Sequence, residues 1–211
     1  MFNLITAVTR LTKKSLNPKN LSFSSGLLIS ILTVIITNSL ILVKPKLVQG
    51  QTIPVTASWR QASFPVENFQ AYTSGFGYRV HPVTGSRQFH QGLDLAAPLG
   101  SYVRSWWSGQ VVGLSDHTAC GTMIKIQSGN WTHIYCHLMG TVENTDRGTV
   151  LVDRSGGVVL WQGQNVPAGA RIGRVGMTGR TTGPHLHWGL MYNGNYVNPA
   201  DVLRQMFAQK I

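Results

Sequence analysis

The sequence predicts an all-β domain over most of its length, and three observations carry that reading. From Tyr72 onward, short runs of alternating apolar and polar residues recur. Turn formers bound each run, and the 23 glycines of the chain supply much of that punctuation. No segment in this stretch sustains the 3.6-residue apolar period of a long helix. A chain of 211 residues has room for one such domain and an appendage.

The appendage comes first. Residues 1–25 form a basic N-terminal segment, and 26–43 a single hydrophobic helix around the uncharged run LLISILTVIITNSLILV (27–43). Those 17 residues span roughly 25 Å as helix, and counting from Leu21 carries the segment past a ~30 Å bilayer core. Arg10, Lys13, Lys14 and Lys19 precede the run and only Lys44 and Lys46 follow it, which predicts a cytoplasmic N-terminus and an exported remainder. Two readings stay open: a transmembrane signal-anchor, or a signal peptide cleaved near Val48-Gln49-Gly50. Both place the domain at the periplasm or cell wall. Residues 44–64, with Pro45 and Pro54 and no periodicity, read as a linker, and 65–205 as the folded domain.

Within that domain the strands follow in order. Tyr102–Arg104 and Val111–Leu114 alternate; Thr122–Gln127 and Thr132–Leu138 flank a Ser128-Gly129-Asn130 turn and read as a hairpin. Closing that hairpin brings Cys120 and Cys136 within a few positions of each other, and an exported compartment favours a disulfide between them. Thr149–Val152 and Val158–Trp161 make an extra hairpin around Arg154-Ser155-Gly156-Gly157, either a wall of the site or a neutral insertion. Gly173, Gly176, Gly179 and Gly183 read as turn glycines. His185–Met191 is the last long strand, and the only helical candidate is the tail Ala200–Ala208 after Pro199.

Net charge is +11, of which +6 lies in residues 1–50 and +5 in 51–211. A +5 domain suits an anionic partner and equally suits ordinary solubility. No basic helix or nucleic-acid-binding motif is present, so no nucleic acid is predicted as a partner.

The chemistry lies in three histidine clusters. His185 and His187 stand two apart on a strand, so both face one space about 6.6 Å apart at the backbone. The stretch FHQGLDLAAPLG (89–100) holds His90 and Asp94, which a straight strand would separate by about 13 Å. Gly92 between them permits a bend. In HIYCHL (133–138), His133, Tyr135 and His137 share one strand face and Ile134, Cys136 and Leu138 the other. Imidazole and carboxylate are both zinc ligands. On spacing alone, His185 and His187 are equal candidates.

The ordered set SGFGYR (74–79), HPVTG (81–85), FHQGLDLAAPLG, YCHL, GARIGRVGMTGRTTGPHLHW and NGNYVNPADVL resembles the lysostaphin-type zinc endopeptidases, from about Phe64 to Leu203. The resemblance implies an antiparallel β-sandwich or barrel-sandwich core with the active site in a groove. It also implies one zinc ion and hydrolysis of peptide cross-links in bacterial peptidoglycan. Position by position, it makes His90, Asp94 and His187 the metal ligands and His137 and His185 the catalytic histidines. Three protein ligands leave a catalytic zinc one open position. Two departures stand out: Trp188-Gly189 replaces a frequent Phe-Glu, and His133 replaces a small polar residue, reading as a partly buried neighbour of Tyr135. His81 and His117 read as surface residues. The alternative functions are a catalytically silent wall-binding or hydrolase-activating relative, or a carrier domain without metal.

Overall fold

The structure, a computed structural model, describes residues 61–80 and 85–208. The basic segment 1–25, the hydrophobic run 26–43 and most of the linker lie outside the described residues. Among those described, no helix is long and apolar enough to cross a membrane.

Antiparallel strands make up nearly all of the regular structure, with one helix at the C-terminal end. The first four strands are β1 (Ala71–Ser74), β2 (Gly77–Val80), β3 (Arg87–His90) and β4 (Leu93–Ala96). Next come β5 (Tyr102–Arg104), β6 (Gly109–Ser115), β7 (Thr122–Ser128) and β8 (Trp131–Leu138). The middle of the chain adds β9 (Thr141–Thr145), β10 (Gly148–Asp153), β11 (Val158–Trp161) and β12 (Asn165–Val166). It closes with β13 (Arg171–Arg174), β14 (His185–Tyr192), β15 (Asn195–Val197) and α1 (Pro199–Ala208). The main sheet runs β1-β4-β14-β8-β7-β6-β12, and β15 pairs with the far end of β14. Three small sheets accompany it: β11-β10-β9, β13-β5 and β2-β3.

Alternation decides which side chains make the core. Leu186, Trp188 and Leu190 of β14 are buried on one face, with Leu93 and Leu95 of β4 and Ile124 and Ile126 of β7. Each such side chain contributes about 1.5–3 kcal/mol by leaving water. Their neighbours His185, His187, Gly189, Asp94, Met123 and Lys125 face a cleft on the opposite side. In α1 the buried residues Val202, Leu203 and Met206 recur at helical spacing.

The predicted hairpin of Thr149–Val152 and Val158–Trp161 forms, with β9 added as a third strand. No residue from 139 to 162 lines the cleft, so it is not a wall of the site. It packs on the domain: Val150, Leu151, Val158 and Leu160 are buried, and the buried Asp153 carboxylate accepts two hydrogen bonds from Arg174 of β13, at 2.7 and 2.9 Å.

Of Gly173, Gly176, Gly179 and Gly183, only Gly179 has a left-handed φ, +71°. Gly173 lies inside β13, and Gly176 gives Leu138 its path: a Cβ there would lie 2.6 Å from the Leu138 carbonyl carbon.

Candidate metal centre and its flanking histidines

Three strands far apart in sequence bring the site together. His187 of β14 is paired in register with Asp94 of β4 on one side and Cys136 of β8 on the other. His90 ends β3, and the chain turns through Gln91 and Gly92 into β4. The turn leaves His90 Nε2 3.1 Å from Asp94 Oδ1. His187 Nδ1 lies 2.9 Å from that oxygen and 2.9 Å from His90 Nε2. Gly92 serves this by giving space rather than by bending: its φ is not left-handed, but a Cβ would sit 2.6 Å from His187 Cε1 and Nε2.

Proton counting decides what the three atoms suit. His90 Nδ1 donates to the Gly75 carbonyl at 2.7 Å, so in the neutral ring Nε2 carries only a lone pair. Ionised Asp94 is an acceptor on both oxygens. Two acceptors 3.1 Å apart therefore share at most the one proton that His187 Nδ1 can carry. A cation between the three atoms satisfies all of them. The donor set, two imidazoles and a carboxylate, is one that zinc accepts. The fit is good.

Electrostatics agree. Burial pushes the Asp94 carboxyl up, but the hydrogen bond from His187 and the nearness of the His90 imidazole outweigh it and hold the group well below the usual carboxylate range. Arg79 of β2 approaches the other oxygen, Nη2 to Oδ2 3.7 Å, and leaves Oδ1 to the histidines. Burial lowers the His187 imidazole. Arg79 lies in the SGFGYR stretch but carried no signal of this role, because its pairing with Asp94 spans strands.

His137 and His185 stand beside the set, their ring centroids 4.9 Å apart. His137 Nδ1 donates to the Thr178 carbonyl at 2.9 Å and His185 Nδ1 to the Gly183 carbonyl at 2.8 Å. Each therefore presents Nε2 as a lone pair. Burial lowers the His137 imidazole to about 4, the nearby His185 and His187 add to this, and the Thr178 carbonyl opposes it. Thr178 and Gly183 act through backbone oxygens, which residue type does not reveal.

The structure corrects the predicted face of β8. His133 and Tyr135 do not share a face with His137. Between the Ile124–Tyr135 and Thr122–Leu138 pairs, β8 has one residue more than β7, a bulge at which His137 takes φ +61°. A bulge re-aims the side chain after it. Ile134, Cys136 and His137 thus line the cleft, while His133 and Tyr135 enter the core against Trp106. His133 is fully rather than partly buried. Its protons are fixed in a chain: the Trp106 amide donates to Tyr135 Oη, Tyr135 to His133 Nδ1, His133 Nε2 to Ser128 Oγ, and Ser128 to the Ser108 carbonyl. Burial lowers its imidazole to about 3.

A scaffold behind His137 holds the bulge. Cys120 and Cys136 form the anticipated disulfide, Cα atoms 5.0 Å apart, and the His137 amide donates to the Cys120 carbonyl at 2.8 Å. Gly121 and Gly179 pass back to back; a Cβ on Gly121 would lie 2.3 Å from the Thr178 carbonyl carbon. His117 is exposed as anticipated, and His81 lies outside the described residues.

A cleft of about 410 Å³ opens over these groups. Three donors, two flanking imidazoles and an open cleft make up a candidate metal centre. The chain belongs to Peptidase family M23, whose model matches residues 88–199. It is 36% identical over 149 residues to peptidoglycan DD-endopeptidase ShyA of Vibrio cholerae, an alignment covering 70% of this chain and 28% of that protein. A crystal structure of a zinc-containing peptidase from Vibrio cholerae superposes with a TM-score of 0.51 and 33% identity, over 64% of this chain and 37% of that one. The catalytic domain of lysostaphin from Staphylococcus simulans shares the fold, with a TM-score of 0.51 and 24% identity, over 65% of this chain and 93% of that one. The lysostaphin-type resemblance read from the motifs is thereby shown.

Proposed function

We propose that this chain is an exported zinc endopeptidase that hydrolyses peptide cross-links of bacterial peptidoglycan. The observation that carries the proposal is the convergence of His90 Nε2, Asp94 Oδ1 and His187 Nδ1 within about 3 Å of one another, beside two further imidazoles. His90, Asp94 and His187 hold the ion. Bound there, zinc polarises the scissile carbonyl and acidifies water. The chain's own residues do the rest. Gly75 fixes the His90 tautomer, and Arg79 orients Asp94. Thr178 and Gly183 aim the Nε2 atoms of His137 and His185 into the cleft. One Nε2 takes the proton of the attacking water, and an imidazolium so formed donates to the developing oxyanion or to the leaving amine.

The reading takes 65–205 as the peptidase domain, with the small sheets as the second layer of a sandwich over the main one. It takes 26–43 as a signal-anchor or cleaved signal facing the domain to the periplasm or wall, in keeping with the disulfide. Zinc content per chain, measured with digestion of purified peptidoglycan, tests the activity. Release of cross-link peptides that chelation abolishes and zinc restores is the expected result; zinc binding without any cleavage would leave a wall-binding relative. Export is tested by fractionation with external protease: loss of the domain while 1–43 stays with the membrane supports an anchor, and protection would refute export.

A further inference from the structure

The cleft holds more positive charge than the catalytic residues use. Arg79, Lys125 and Arg180 line it with a single acidic side chain, Asp94. Arg79 is committed to Asp94. Elsewhere among the described residues, Arg104, Arg154, Arg171, Arg174 and Arg204 each lie against a carboxylate, and Arg87 lies over the Tyr78 ring. Of the described lysines and arginines, Arg87, Lys125, Arg147 and Arg180 face no carboxylate, and Lys125 and Arg180 of those four line the cleft.

Register places the two on opposite sides of the metal ligands. Lys125 pairs with Ile134, and Ile134 with Gly189, so Lys125 belongs to a row two residues beyond His187 along β14. Two strand spacings and two residues of rise put its Cα about 12 Å from that of His187. An extended peptide covers that distance in three to four residues, and the lysine side chain shortens it. Arg180 belongs to the loop preceding His185, past the other end of the row. Gly179 seats that loop on Ala119 and Cys120, and the Arg180 amide donates to the Ala119 carbonyl at 2.8 Å. Both side chains are exposed until a substrate covers them.

We infer that Lys125 and Arg180 are specificity-determining residues, each binding a free carboxylate of the substrate peptide, one on either side of the scissile bond. The preferred substrate is then an acidic cross-linked peptide rather than its amidated form. The inference rests on the endopeptidase reading. A charge-assisted hydrogen bond covered by substrate is worth roughly a factor of ten in kcat/KM.

The test uses the 211-residue chain loaded with zinc and two synthetic cross-linked peptides, identical except that the carboxylates flanking the scissile amide are free in one and carboxamides in the other. The expected result is a preference of about tenfold or more for the free acid. Lys125→Gln and Arg180→Gln each lower that preference towards unity, and Lys125→Arg keeps it. Equal cleavage of both peptides by the wild type overturns the subsites and leaves the endopeptidase reading standing. Cleavage of neither peptide counts against the endopeptidase reading, and calorimetric titration then decides the subsites. A preference for the free acid that Lys125→Gln abolishes supports them, and equal affinity overturns them.

Discussion

At the scale of residues, the five cleft side chains divide by what their second polar atom does. His90, His137 and His185 each spend Nδ1–H on a backbone carbonyl and so leave Nε2 as a lone pair. Only His90 Nε2 points at Asp94 Oδ1 within hydrogen-bond range, 3.1 Å against 3.7 Å for His185. Substituting His90, Asp94 or His187 by Ala is expected to remove bound zinc, measured as metal per chain. His137→Ala and His185→Ala should keep zinc and lose about 10²–10⁴ in peptide cleavage. Loss of zinc from His185→Ala equal to that from His187→Ala would refute the division. Gly92→Ala makes a sharper case. Its φ accepts alanine, but the new methyl would lie 2.6 Å from the His187 ring and 2.8 Å from the Trp188 carbonyl oxygen, so β14 must give way at the ligand. The fold should persist, with zinc affinity down by about 10–100-fold, as for lost positioning groups. Affinity unchanged in a competitive chelator titration would show that the ring has room to move.

At the scale of elements, the β7–β8 hairpin does two jobs that a regular ladder could not combine. Its lower part puts His133 and Tyr135 in the core, and its bulge turns His137 outward to the cleft. The disulfide spans this hairpin with a sequence separation of 16, and by chain entropy a loop of that size adds about 3 kcal/mol. Cys120→Ser with Cys136→Ser is expected to lower Tm by roughly 6–12 °C in a domain of this size. It should also cut activity more than zinc content, because the Cys120 carbonyl anchors the His137 amide. An unchanged melting curve by calorimetry would remove the disulfide from this account.

At the scale of the whole molecule, buried His133 makes stability depend on pH. Its folded imidazole is lowered to about 3, against about 6.5 in an unfolded chain. Between those values the unfolded chain binds a proton that the folded one refuses, so stability falls as pH falls through that window. From pH 7 to 4.5 this single group removes about 2–3 kcal/mol. His133→Gln destabilises the protein at pH 7 by losing its part in the chain of hydrogen bonds. Denaturant titration should show that deficit shrinking by about that amount at pH 4.5. Parallel profiles for the two proteins would mean that His133 does not titrate this way.

What the sequence determined by itself is local and periodic. Alternation along β14 is enough to turn Leu186 and Trp188 inward and His185 and His187 towards one space, and turn residues are enough to pair β7 with β8 and so Cys120 with Cys136. The motifs added the likeness to a family, and with it five named positions. The tertiary structure decided what depends on one strand meeting another. The extra residue that lifts His137 out of the face of His133 exists only relative to β7. The need for glycine at position 92 exists only because β14, 95 residues later, brings the His187 ring and the Trp188 carbonyl oxygen to where a methyl would lie. The reach of Arg79 to Asp94 and the carbonyls that set three tautomers are likewise contacts between segments, and backbone oxygens look alike in every residue. Period-2 patterning is written in neighbouring side chains; register, close approach and proton direction are settled only once the sheet is assembled.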